Sequence, residues 1–335
     1  MVTQIAYSQD FSKHDTPYHP ENAQRLPAML NEIQKANFYQ DLDFFEPNLL
    51  NEEALYSLHS DQMIQQIKDI SSTGDSWLDL DTYVCLKDYE TARKAASGLF
   101  EISMNVLKGK AENGFALVRP PGHHATYNRS MGFCLFNNGA LTANELSKLG
   151  KKVLIFDCDV HHGNGTQYLF YDRRDILYQS FHLYPHFPGT GPIEDIGKDD
   201  GLGYTINAPL SHGNGNEAVT QLLDEVFLPV AQQFKPDIII VSSGYDSHHL
   251  DPLGGLALTS NFFGEMIEKL QNIQPKIVCT LEGGYNLDWI GKCLVCQLGQ
   301  LVAQPIQYQD DAVEKNTGKP VVGTLKNNLA SYWKI

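Results

Sequence analysis

No hydrophobic run in this 335-residue sequence approaches the about 20 apolar residues that a membrane-spanning helix needs; the longest, such as Ile238 to Val241, fall far short. The start, Met1-Val2-Thr3-Gln4-Ile5, has neither a basic segment nor an apolar one behind it, so no secretory signal is expected and the protein reads as cytoplasmic. Cysteines are few and scattered (Cys85, Cys134, Cys158, Cys279, Cys293, Cys296), and the one C-x-x-C, Cys293 to Cys296, has no second pair. In its apolar setting that pair reads as one buried helix face, with a redox or zinc role the lesser alternative. Positive charge is scarce: 25 Lys and Arg face 40 Asp and Glu, a formal charge of -15 that repels phosphate backbones and anionic lipid. Direct nucleic-acid binding and membrane association are therefore not expected, whereas cationic substrates stay compatible. Repeats, low-complexity tracts and long Gly/Ser linkers are missing, which predicts a single domain over 1–335, with a tail from 304. No G-x-G-x-x-G follows a strand and no G-x-S-x-G elbow occurs, so nicotinamide and serine-hydrolase chemistry lack support.

What is present is a rhythm of short β-rich runs and helical stretches. Strands are expected at Gln4 to Tyr7, Phe115 to Val118, Val153 to Phe156, Ile176 to Ser180, Tyr204 to Ile206, Ile238 to Val241 and Ile277 to Leu281. Helical patterns occupy Tyr89 to Leu107, Asn138 to Leu149, Glu217 to Phe234, Asn261 to Ile273 and Leu287 to Val302. This alternation predicts an α/β domain with a mainly parallel central sheet flanked by helices. Four segments rich in unusual residues, Arg119 to His124, Asp157 to Gly165, Gly244 to Asp251 and Glu282 to Asn286, each follow a strand. Ligands of open α/β sheets bind beyond the carboxyl ends of strands, so these loops should converge on one site.

In Asp157-Cys158-Asp159-Val160-His161-His162-Gly163-Asn164-Gly165, extended backbone would point Asp157, Asp159 and His161 to one side. Asp246, after the strand at Ile238, offers a further carboxylate. Such an Asp2His set leaves open positions, as a catalytic zinc or similar divalent ion requires. Alone, a D-x-D-x-H would more simply be caps or core polar groups; it gains weight from its companions. His123 and His124 are adjacent imidazoles that disfavour double protonation, so one stays a base near neutral pH. Tyr285, after Gly283 and Gly284, can offer its hydroxyl to a developing oxyanion.

From Tyr18-His19-Pro20-Glu21 to Tyr285-Asn286 the sequence resembles the zinc-dependent histone deacetylases and their bacterial relatives. The resemblance implies Asp159, His161 and Asp246 as the ligands of one zinc per chain. It implies His124 as the proton-transferring histidine, His123 as its neighbour held by Asp157, and Tyr285 as the transition-state tyrosine. Gly132, Phe133 and Phe187 would line an acyl-lysine tunnel, and Asp81-Thr82 would form a substrate-holding rim. A structural potassium near Asp157, Asp159, His161, Ser180 and Phe181 is also implied. Asn164, where class I enzymes carry Asp, is similar to class II and would leave His124 less basic.

The implied activity is hydrolysis of acetyl-lysine in proteins or peptides, with acetylated lysine as the partner and homo-oligomerisation left open. An acetylpolyamine hydrolase is the alternative. Polyamine-selective relatives carry an acidic gatekeeper where this chain has Leu253, which gives an ammonium no counter-charge. Arginase-type hydrolases would need further carboxylates where Gly163 and His248 stand, so one metal is expected and His248 and His249 read as loop residues. Loss of a ligand or of the tyrosine would mark a non-catalytic acyl-lysine binder; neither is lost.

Overall fold

Eight strands pair side by side into one sheet, and every pairing in it is parallel. The computed structural model describes residues 2–16, 18–315 and 317–335. In chain order the strands are β1 (Thr3–Ala6), β2 (Leu42–Phe45), β3 (Ser76–Trp77), β4 (Tyr83–Val84), β5 (Asn113–Ala116), β6 (Val153–Asp157), β7 (Ile176–Leu183), β8 (Thr205–Leu210), β9 (Ile238–Ser243) and β10 (Ile277–Leu281). The sheet order is β2-β1-β5-β10-β9-β6-β7-β8, while β3 and β4 form a separate antiparallel hairpin. Strands β5, β6, β7, β9 and β10 are buried at every position, the signature of a parallel sheet covered on both faces.

The covering helices follow from apolar stripes. Helix Asp88–Leu107 buries Ala92, Ala95, Ala96, Leu99, Ile102 and Val106 on one face, and Gly98, where a Cβ would crowd the Ala6 side chain, lets it lie close to β1. Helix Asn138–Lys148 starts where the Asn137 side chain accepts the Ala140 N–H, satisfying one of the free amides of the first turn. The stretch expected as one helix from Glu217 to Phe234 is instead Asn216–Leu222, a π turn Leu223–Phe227, and Leu228–Phe234. Pro229 has no N–H to continue the regular ladder, so the wider turn absorbs the break.

The segment after Gln304 packs on the body. Helix Lys319–Leu329 buries Val322, Leu325 and Leu329, and the Trp333 indole N–H donates to the Gly203 carbonyl at 2.7 Å. Cys293 and Cys296 lie on helix Ile290–Leu301, both buried and unpaired, as the apolar reading of that stretch expects.

One buried charge network ties distant parts of the chain to the sheet's carboxyl edge. Glu21 accepts from Arg25 Nη1 at 2.9 Å and from Arg119 Nη2 at 2.7 Å, with a further bond from Arg119 Nε. Burial opposes ionisation of Glu21, but Arg119 and His14 outweigh it and hold the carboxyl well below its usual range. A depressed carboxyl contributes stability above its unfolded pKa and loses it as pH falls through the folded value, so this contribution persists at neutral pH. Glu21→Gln leaves two buried guanidinium groups underpaired and should cost about 3 to 5 kcal/mol. Urea unfolding of both proteins at pH 7 measures it, and an unchanged midpoint would contradict it.

Candidate active site

The four central strands, β5, β10, β9 and β6, are neighbours, and their loops meet over the middle of the sheet. Asp157 ends β6, in register with Ser242 on β9 and Ser180 on β7. Asp159, His161 and Asp246 bring their donor atoms within 4.8 Å of one another. His161 Nδ1 lies 3.0 Å from Asp159 Oδ1 and 3.2 Å from Asp246 Oδ2. The two carboxylates are anchored by backbone: Asp159 Oδ2 accepts the Gly283 N–H at 2.8 Å, and Asp246 Oδ1 accepts the Val160 N–H at 3.0 Å.

This cluster fits a divalent cation. Asp246 Oδ2 is buried without a hydrogen-bond partner, an orphan that a cation would satisfy. Burial and the neighbouring Asp159 push the Asp246 carboxyl up to about 7. Burial disfavours a charged His161, yet the close carboxylates of Asp159 and Asp246 outweigh it and push the imidazole up to about 10. Two carboxylates and an imidazole therefore converge on one buried point where a cation would satisfy them. Room for it depends on Gly283, where a Cβ would overlap Asp246 Oδ2.

The histidines divide as adjacent cations should. Their rings lie 4.0 Å apart. His123 Nδ1 faces Asp157 Oδ2 at 3.1 Å, and although burial opposes protonation, Asp159 and Asp157 together push His123 up to about 10. His124 is driven well below its usual value by burial and by His123 and His161. Its Nδ1 sits 2.7 Å from Asn164 Oδ1. Since the Asn164 amide nitrogen points to Met131 Sδ at 3.5 Å, Oδ1 faces the ring, Nδ1 carries the hydrogen and Nε2 keeps its lone pair.

A cavity of about 250 Å³ opens onto these groups, lined among others by His124, His161, Gly132, Phe133, Phe187, Leu253, Tyr285 and Asp81. Phe133 meets Tyr285 edge-on at 5.8 Å, and Phe187 meets His124 edge-on at 5.2 Å. Gly132 adopts φ 56°, and a Cβ there would collide with the His124 ring. Thr82 is buried behind this wall: its hydroxyl donates to Asp81 Oδ1 at 3.1 Å and accepts the Phe133 N–H at 3.3 Å. Ser180 and Phe181 lie buried on β7 beside Asp157, not on the cavity.

Several residues support the site in ways that the sequence does not foretell. Glu282 accepts the N–H groups of Gly122 and His123 at 2.7 and 3.1 Å, and burial raises its carboxyl to about 7. Asp251 Oδ2 accepts the N–H groups of Tyr285 and Asn286 at 2.6 and 3.0 Å, fixing the tyrosine loop. Arg25 donates to the Gly284 and Glu282 carbonyls and stacks over the Tyr285 ring at 5.1 Å. His186 stacks on His161 at 5.0 Å, and its Nε2 bonds the Leu253 carbonyl at 3.2 Å. A charged residue directly after a buried strand is a signal that Glu282 alone of these carries. His248 and His249 are not joined to the cation cluster; both imidazoles bond Asp310 in the tail, at 2.9 and 2.7 Å.

The histone deacetylase domain model matches residues 19–301. The chain belongs to the histone deacetylase family. A probable deacetylase of Archaeoglobus fulgidus is 32% identical over 360 residues, covering 100% of this chain and 99% of the relative. Histone deacetylase 5 of Arabidopsis thaliana is 35% identical over 352 residues, and the match spans 98% of this chain but 53% of that protein. Among solved structures, the crystal structure of the HDA15 HD domain superposes with a TM-score of 0.93 at 32% identity, covering 99% of this chain and 97% of the other. Histone deacetylase membership makes the protein a hydrolase of amide bonds and zinc the metal its cluster is suited to. Among the described residues, no helix is long and apolar enough to cross a membrane.

Proposed function

We propose that the protein hydrolyses the ε-amide of acetyl-lysine in polypeptides, releasing acetate and the lysine amine. The observation that carries this reading is the cavity of about 250 Å³ lined by Phe133, Phe187 and Leu253, which suits the methylenes of a lysine and is lined at once by His124, Tyr285 and His161 of the Asp159-His161-Asp246 cluster. A zinc ion held by those three ligands would supply Lewis acidity and a bound water acidified toward about pH 7. His124, neutral and with Nε2 unprotonated, accepts a proton from the attacking water and returns it to the lysine nitrogen as the C–N bond breaks. The protonated His123, held by Asp157, places positive charge beside the reacting carbonyl. Tyr285 keeps its proton, being held well above its usual pKa by burial, and so donates to the oxygen that gains charge. Because Asn164 is neutral, the hydrogen bond to His124 lacks charge assistance, which supports a class II-like assignment. A structural potassium beside Asp157, Asp159, His161, Ser180 and Phe181 belongs to the same reading, supported by the β6–β7 register that sets Ser180 next to Asp157.

The acetylpolyamine reading would rest on Asp81, an acidic residue among those lining the cavity. Against it, Leu253 offers an internal ammonium no partner. The parent should therefore prefer acetyl-lysine peptides, and Leu253→Glu should move the kcat/KM ratio toward acetylspermidine by about tenfold or more, the worth of one charge-assisted contact. Paired kinetics of both proteins on both substrates checks this. A parent that hydrolyses acetylspermidine better than every peptide would establish the polyamine activity instead.

A further inference from the structure

Large exposed apolar side chains are usually scattered singly; here three gather on one side of the cavity mouth. Tyr18 and Leu80 are fully exposed (105% and 100%) and Trp77 is half exposed (49%). They belong to one surface. The Trp77 ring lies 5.9 Å from His19, the residue after Tyr18, and the His19 ring meets the cavity wall Phe133 edge-on at 4.6 Å. His19 Nε2 also bonds the Asp81 carbonyl at 3.1 Å, tying the tip of the β3–β4 hairpin to the loop that carries Tyr18.

This shelf is held in place rather than loose. Asp79 Oδ1 accepts the N–H groups of Asp81 and Thr82 at 3.1 and 2.7 Å, shaping the hairpin tip and turning Leu80 outward. Trp77 rests on Tyr83 at 5.0 Å across the hairpin. Tyr18 sits at φ 66°, a left-handed conformation that side chains with a Cβ adopt at a cost, and there its ring projects into solvent. The shelf is edged with carboxylates, Asp79 and Asp81 at the tip and Asp75 behind β3, of which Asp79 reaches the exposed Arg129 at 3.4 Å.

An aromatic and aliphatic surface bordered by carboxylates suits a planar guanidinium, which stacks on a ring face while its N–H groups reach an acid. The shelf begins at the wall of the lysine cavity, so the residue it meets is a close neighbour of the acyl-lysine along the chain, each residue spanning about 3.5 Å. We propose that Tyr18, Trp77 and Leu80 form a docking shelf that selects arginine next to the acyl-lysine in a polypeptide substrate, with Asp79 and Asp81 as counter-charges. This rests on the acyl-lysine reading given above.

The test uses the full-length zinc-loaded protein and peptides identical except for Arg, Gly or Glu on both sides of acetyl-lysine, with Nε-acetyl-lysine amide and acetylspermidine alongside. The parent turns over the Arg peptide at least about tenfold more efficiently than the Gly peptide, and the Glu peptide least. In the Tyr18→Ser/Leu80→Ser protein, which changes only fully exposed side chains, the Arg-to-Gly ratio of kcat/KM falls at least threefold, through KM. Adding Trp77→Ser brings it close to one. Equal efficiency on Arg and Gly peptides in the parent, or an Arg preference that survives all three substitutions, overturns the shelf while acetyl-lysine amide is still hydrolysed. Turnover of acetylspermidine with none of any acyl-lysine substrate overturns the functional reading itself.

Discussion

Asp159→Asn removes bound metal and activity together. Asp159 gives one oxygen to the cation cluster and accepts the Gly283 N–H with the other, so the variant keeps its shape and loses the negative charge. An amide oxygen is a weak ligand for zinc, and with only three protein ligands the site has none to spare. Lewis-acid activation contributes several kcal/mol to amide hydrolysis, so kcat/KM on an acetyl-lysine peptide should fall about 10³-fold or more. Metal analysis after gel filtration, run beside the assay, checks both halves. A variant that keeps one zinc and most of its turnover would contradict the ligand assignment.

Tyr285→Phe separates chemistry from metal binding. The ring is positioned by Asp251 through the Tyr285 backbone N–H and by Arg25 over its face, and neither contact needs the hydroxyl. Losing one oxyanion donor costs about 10²-fold in kcat or more, while zinc content, fold and KM stay near the parent values. Near-normal turnover would remove Tyr285 from the mechanism.

The fold was legible in the sequence where a strand is buried on both faces. Ile277 to Leu281 is an unbroken apolar run apart from Thr280, and the expected and observed bounds coincide. The strand expected over Ile176 to Ser180 runs to Leu183: His182 breaks the apolar pattern in the sequence, yet it is buried and bonded to the Gly191 carbonyl. Strand β2 leaves little trace in the sequence because it is a short edge strand whose Asp43 faces out, and an edge needs little hydrophobic pattern. Helix Arg25–Lys35 leaves little trace too, since no side chain caps its start.

At the site, the residues that touch the cavity were legible because each follows a strand within a short, chemically unusual segment. The pairings that support them were not, because they act across the chain: Arg119 meets Glu21 98 positions away, and Arg25 reaches Gly284 259 positions away. Thr82 shows the limit from the other side. Its hydroxyl type suits a substrate contact, but only packing reveals that the group is spent on Asp81 and the Phe133 N–H.

On the proposed function, one divalent ion at Asp159, His161 and Asp246 is what makes hydrolysis of the acyl-lysine amide possible. The direct measurement strips one batch of protein with a chelator, then adds zinc in steps while acetate release from an acetyl-lysine peptide is followed. Activity should start near zero, rise linearly and level off at one equivalent per chain. Acetate release at the full rate from metal-free protein, or a plateau reached only at two equivalents, would contradict it.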